Sequence, residues 1–316
     1  MSASSKKVII AALIGNTLIS ITKFFAAFTT GSSAMLSEGI HSLVDMGNQI
    51  LLLFGMKQAA KPADRQYPFG HGKEIYFWSF VVAILIFAVG AGVSIYEGIH
   101  QIMAPTAIAN PMVNYIVLGV SLVFEGAAWY FAFNEFTKAK GKWGYIEAVQ
   151  RGKDPTLFVV LFEDSAATLG LVVAFLGIWL SQVTGILIFD GIASIVIGLI
   201  LGGTAAWLAY ETKSLLIGES ANKRVEDGIR AIIQAYPEVE HLNEPLTMHM
   251  GPDFILANCS IDFRNDLVAE EMEKCIARLD TEIKQQFPNV KRVFIEAESR
   301  YLHLREQRAI QAHNEV

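Results

Sequence analysis

Charge and cysteine are both scarce in this chain, and each scarcity excludes a class of protein. Only 18% of its 316 residues are charged, against roughly a quarter in an ordinary soluble domain, while 53% are hydrophobic. The shortage is uneven, because long apolar runs fill the chain up to Tyr210 and charge density rises after Glu211. This predicts a membrane unit over residues 1–212 and a soluble unit over residues 213–316. The only cysteines are Cys259 and Cys275, both in the hydrophilic tail and not in a Cys-x-x-Cys pair. A disulfide framework and a thiolate zinc site are therefore excluded, and two buried reduced thiols are expected. The net charge of −6 comes with no basic patch interleaved with aromatics, so no nucleic-acid partner is expected. No nucleophile–base pair or phosphate-cradling loop accompanies the polar residues described below, which argues against an enzyme.

What is present is a series of long apolar stretches. A span needs about 20 mostly apolar residues to cross the hydrocarbon core. Six stretches qualify: Val8–Thr30, Ala34–Met56, Phe77–Met103, Val113–Phe136, Leu157–Val183 and Ile186–Tyr210. The first follows Lys6 and Lys7 but is too long for a signal peptide and has no clean small-residue cleavage site. The loops around Gly31, Ala104–Met112 and Ser181–Gly185 contain no Lys or Arg. The alternate loops carry Lys57, Lys61, Arg65 and Lys73, then Lys138, Lys140, Lys142, Arg151 and Lys153. With Lys6 and Lys7 on the same side, the positive-inside bias places both termini in the cytoplasm, which in a bacterium means the plasma membrane.

Ionisable side chains inside such spans each cost about 2.5–3.5 kcal/mol at mid-helix on insertion scales, so each calls for a reason. The second span holds Glu38, His41 and Asp45, with His41 and Asp45 one turn apart on one face. An imidazole and a carboxylate so placed make half of a tetrahedral site for a borderline cation such as Zn²⁺. A His–Asp hydrogen bond joining two helices, or a proton relay, fits the same spacing. The fifth span adds the adjacent carboxylates Glu163 and Asp164, at least one of which is expected to face the bundle interior. A divalent cation between carboxylates of two apolar helices would cancel their repulsion. Lys23 is either a buried counter-charge or reaches an interface, and Glu125 either joins the site or makes an inter-helix hydrogen bond.

After Ser220 the pattern becomes that of a small α+β unit. Val225, Ile229, Ile232, Ile233 and Tyr236 recur at helical spacing. Leu246–Met250 and the alternating Ile255–Phe263 read as two strands around a turn at Gly251–Asp253, with Cys259 on the core face. Met272 to Phe287 gives a second helix ended by Pro288, and Lys291–Ala297 a third strand. The predicted order is αββαβ, with the helices on one sheet face and the other face free for a partner.

Spans and tail together resemble the cation diffusion facilitator family across essentially the whole chain. The residues that carry the resemblance are TGSSAMLSEGIHSLVD at Thr30–Asp45, PFGHGKE at Pro68–Glu74, EDS at Glu163–Ser165 and LIGES at Leu216–Ser220. The resemblance implies a six-helix transmembrane bundle with a metallochaperone-like cytoplasmic tail. It implies a homodimeric exporter of Zn²⁺ or a related metal, driven by proton exchange, with its site between spans two and five. On this pattern His41, Asp45 and Asp164 are three of four transport ligands. The fourth position is Val160, which has no donor. Glu163 is the candidate substitute, although an ideal helix turns it about 100° from Asp164. A water, Glu125 or local unwinding would be other ways to complete the shell. Asp64 and His71 match accessory ligands, with Tyr67 where a histidine is common. Asn258, Glu296 and Glu298 stand where some members carry metal ligands, so the tail reads as a dimerisation module rather than a metal sensor. His241 and His249 are either further ligands or ordinary surface histidines.

The expectation is a proton-coupled efflux transporter of a divalent cation, foremost Zn²⁺, with metal and protons competing for the same ligands. Mn²⁺, Fe²⁺ or Co²⁺ suit a carboxylate-rich shell as well. A proton-coupled exporter of organic cations and a non-transporting partner subunit are the competing readings.

Overall fold

All six apolar stretches form long helices, because each is long enough to satisfy its backbone hydrogen bonds internally. The computed structural model describes residues 3–108, 110–140, 144–145, 148–149 and 155–314. Lys142, Arg151 and Lys153, counted above among the loop cations, lie outside the described residues, as do the side chains of Lys6 and Lys7. The helices are α1 (Ala3–Thr30), α2 (Ser33–Ala59), α3 (Glu74–Leu85), α4 (Gly92–Met103), α5 (Pro111–Lys140), α6 (Pro155–Thr184) and α7 (Ile188–Ile217). A π turn over Ile86–Ala91 joins α3 to α4, so the third stretch is one interrupted rod. Among the described residues, four rods are long and apolar enough to cross a membrane: Glu74–Met103, Pro111–Lys138, Phe158–Thr184 and Ile188–Ile217. Helix α2 is as long but more polar, since it carries Glu38, His41, Asp45, Asn48 and Gln49, and the side chains of most of the first half of α1 lie outside the described residues.

The chain forms two units, one of residues 1–60 and 74–213, the other of residues 61–73 and 214–316. In the helical unit, α2 packs against α1, α3, the π turn, α4 and α6, and α5 packs against α1 and α6. Tight turns hold neighbours together: Gly31 and Gly185, each at φ 72°, close the α1–α2 and α6–α7 connections in a conformation open chiefly to glycine. Proline opens both α5 and α6, at the helical position where a missing N–H costs nothing. Small residues let α4 and α7 touch backbone to backbone. A Cβ on Gly98 would lie 2.6 Å from the Gly191 carbonyl oxygen, and one on Gly191 would lie 2.8 Å from that of Gly98.

The second unit contains α8 (Lys223–Gln234), β1 (Val239–Gly251), β2 (Phe254–Phe263), α9 (Ala269–Gln286), β3 (Val290–Ala297) and α10 (Arg300–Asn314). Strand β2 is central, antiparallel to β1 and parallel to β3. Ile229 and Ile233 of α8 and Cys275, Leu279 and Ile283 of α9 bury against Leu242, Ala257, Cys259 and Ile261 of the sheet. The order is αββαβα: the terminal helix α10 was not expected, because Tyr301, Leu302 and Leu304 on it are exposed and form no buried stripe. Strand β1 also starts at Val239, well before the expected Leu246. The segment 61–73 belongs to this unit. Phe69 packs edge-on to Phe294, and Gly72 lies so close to Met250 and Gly251 that a Cβ would strike the Met250 carbonyl oxygen.

Candidate metal site between two helices

Helix α2 starts where Ser32 caps it, its hydroxyl accepting from the Met35 N–H at 3.2 Å. Asp190, at the start of α7, reinforces the same end. It accepts from the Ser32 hydroxyl at 2.7 Å, the Ser33 N–H at 2.6 Å and the Ser33 hydroxyl at 2.9 Å. A buried carboxylate at a helix N-terminus satisfies orphan donors and complements the dipole, so Asp190 has a structural part. Three turns into this fixed helix come His41 and Asp45, 1% and 5% exposed. Their nearest atoms, His41 Nδ1 and Asp45 Oδ1, are 3.3 Å apart.

Neither ring nitrogen of His41 has a hydrogen-bond partner among the described residues, and neither does Asp45 Oδ1. Buried polar atoms of native proteins are almost always paired, so three orphans side by side mark a place for a ligand. From α6, Glu163 turns toward this face. Its Oε1 accepts from Asn48 Nδ2 at 2.6 Å, and its carboxyl group lies within hydrogen-bonding reach of Asp45. A cation or a shared proton between those two carboxyls offsets their repulsion.

Asp164 is placed differently. It is half-buried, and its carboxylate makes no hydrogen bond or ion pair among the described residues. Val160 lies one turn before it on α6. Among the described residues, no three His, Cys, Asp or Glu side chains converge closely enough to hold a metal ion. The arrangement thus brings His41, Asp45 and Glu163 near one another and leaves Asp164 to one side. Asn48, which orients Glu163, was missed by the sequence reading; its spacing of three from Asp45 on α2 was the available signal.

The charges left open by the sequence are settled in the same unit. Lys23 is fully buried, with Nζ 3.2 Å from Glu38 Oε2 and 3.5 Å from Glu125 Oε1. It is an internal counter-charge. An aromatic cavity of about 440 Å³ lies between α5, α6 and α7, lined by Trp129, Phe133, Phe136, Phe162 and Trp207 among others, and among the described residues no Asp or Glu lines it.

In the other unit, Asp64 Oδ1 accepts the backbone N–H groups of Gln66 and Tyr67, each at 2.8 Å, and Oδ2 lies 3.0 Å from His71 Nε2. The Tyr67 N–H, then the His71 ring, hold its carboxyl below the usual range. This pair shapes a turn, with the Tyr67 ring 4.5 Å from that of His71. His249 is not a surface histidine: it is 3% exposed, with Nδ1 3.3 Å from the Gly251 carbonyl oxygen. Glu298 accepts from the Ser260 hydroxyl at 2.6 Å and faces His303 Nδ1 at 2.9 Å.

The chain is 34% identical over 264 residues to the mitochondrial proton-coupled zinc antiporter SLC30A9 of Xenopus laevis, covering 83% of this chain and 47% of that protein. It is 29% identical to metal tolerance protein C4 of Arabidopsis thaliana, covering 87% and 60% respectively. It is 24% identical to the manganese efflux system protein MneP of Bacillus subtilis, covering 92% and 95%. The chain thus spans about half the length of the SLC30A9 relatives it matches. The family model described as the cation efflux transmembrane domain matches residues 9–217, which include every helix from α1 to α7. The chain belongs to this cation efflux family, also called the cation diffusion facilitators.

Proposed function

We propose that the chain is a proton-coupled efflux transporter of divalent metal cations, foremost Zn²⁺, crossing the membrane six times with both termini in the cytoplasm. The observation that carries this reading is the buried group of unpartnered donors on α2, His41 Nδ1, His41 Nε2 and Asp45 Oδ1, with Glu163 of α6 beside them. Metal ligands must be deprotonated to bind, so protons and metal compete at the same atoms, and a proton gradient can drive metal out. His41, Asp45, Glu163 and Asp164 are the proposed transport ligands. Loading then requires α6 to turn or shift so that Asp164 joins the other three. The names of the zinc antiporter relatives support Zn²⁺.

Mn²⁺ is the second reading. The oxygen-rich surroundings of Asp45, Asn48 and Glu163 suit a harder ion, and a relative named for manganese efflux shares 24% of the sequence. A homodimer and an accessory metal site at Asp64 and His71, 3.0 Å apart, complete the proposal.

The test is reconstitution in liposomes with a metal-sensitive dye and an imposed pH gradient. Zn²⁺ flux that Asp45→Ala and Asp164→Ala abolish is the expected result. Absence of flux with Zn²⁺, Mn²⁺, Fe²⁺ and Co²⁺ would sink the transporter reading; flux that survives both substitutions would sink the site.

A further inference from the structure

The ammonium of Lys23 sits inside a cage of oxygens. Its Nζ is 2.7 Å from Ser42 Oγ, 3.2 Å from Glu38 Oε2 and 3.5 Å from Glu125 Oε1. Lys23 and Glu38 are fully buried, and Glu125 is 4% exposed. Two carboxyl groups face one ammonium. Glu38 Oε1 has no hydrogen-bond partner among the described residues and is turned to Gly170 of α6, where a Cβ would collide with it. Ser42 and Glu38 flank His41 on α2, which puts this cage within a turn of the proposed transport ligands.

Two carboxylates and a hydroxyl are also what a hard divalent cation accepts as part of its shell. In a chain that passes such cations, the cage would hold a second ion beside the first unless something else filled it. A lysine ammonium is a compact point charge with three donors, matched here by three acceptors. We infer that Lys23 is a positioning residue, a tethered cation that fills the Glu38–Ser42–Glu125 cage and confines the transported ion to the neighbouring ligands. The inference rests on the transport reading above. A purely structural Lys23, tying α1 to α2 and α5, would affect stability when removed but not the number of ions bound.

The number of ions is therefore the readout. Full-length chain in lipid nanodiscs is dialysed against Zn²⁺ alone or Mn²⁺ alone, and bound metal is counted by elemental analysis. Lys23→Ala is expected to hold about one ion per chain more than the wild type, given an emptied oxygen cage. Lys23→Arg keeps the wild-type count, and Lys23→Ala combined with Glu38→Gln loses the surplus. A folded Lys23→Ala protein with the wild-type count overturns the inference. Glu38→Gln alone leaves Lys23 in place and is expected to bind as much metal as wild type. A drop there would make Glu38 a transport ligand and overturn the inference even if Lys23→Ala failed to fold. Should the wild type bind no ion, flux in liposomes decides the transport reading, and the surplus in Lys23→Ala still decides for or against the cage.

Discussion

Three buried polar atoms of His41 and Asp45 have no hydrogen-bond partner among the described residues, and each such atom costs about 1–3 kcal/mol of stability. A cation that binds them removes this cost and adds its own binding energy. At a metal concentration one hundred times the dissociation constant, the linkage contributes about 2.7 kcal/mol. Thermal unfolding in detergent should therefore move upward with added Zn²⁺, and His41→Ala or Asp45→Ala should abolish the movement. Asn48 acts one step further out, by holding Glu163 Oε1 at 2.6 Å. Asn48→Ala is expected to weaken metal affinity about 10–100-fold, the usual effect of losing an orienting partner, with the metal titration read by dye competition. The tail thiols offer a simpler check. Burial pushes Cys259 up to about 12 and raises Cys275 as well, and neither is exposed. Neither should react with a thiol reagent at neutral pH until the chain is unfolded. His41 and Asp45 were legible from their spacing of four in an apolar run. The direction of Glu163 was not, because helical phase alone cannot say which of two adjacent carboxylates a neighbouring helix attracts.

Among the elements, α2 is the most constrained, since its first turn is held by Ser32 and by Asp190 of α7. Three hydrogen bonds to one buried carboxylate make Asp190→Ala costly, by about 2–3 kcal/mol from the range for charged hydrogen bonds, read as a lower unfolding midpoint. The α4–α7 crossing is as sensitive to size. Gly98→Ala would force the Gly191 and Ile195 backbones apart, at about 1–3 kcal/mol for overpacking. Hydropathy marked the six long apolar helices, although α7 runs on to Ile217, past the expected end at Tyr210. It gave no sign of the π turn at Ile86–Ala91, whose composition is as apolar as its flanks. Helix α10 escaped notice for the opposite reason, since its apolar residues are spread over the exposed surface. The part of Asp190 was not legible in the sequence, because the donors it satisfies lie more than 150 residues earlier in the chain.

For the molecule as a whole, pH acts through the tail. The Ser260 hydroxyl, then His303, hold Glu298 below the ordinary glutamate range. A carboxyl lowered on folding stabilises above its unfolded pKa of about 4.3, and the contribution fades as pH falls through the folded value. Acid unfolding of the tail, followed by hydrogen exchange in β2 and α10, should therefore begin at higher pH in Glu298→Gln than in the wild type. The αββαβ core of the tail was readable from alternation and helical spacing, but the membership of residues 61–73 was not, since no local pattern links them to a strand more than two hundred residues on. That membership bears on how the molecule can be dissected. Neither unit is one continuous piece of sequence. Truncation after Lys213 would leave Phe69 without Phe294, and Gly72 without Met250 and Gly251. A chain cut there would carry an orphaned fragment of the second unit, and losses of transport in it would report that damage together with the missing tail.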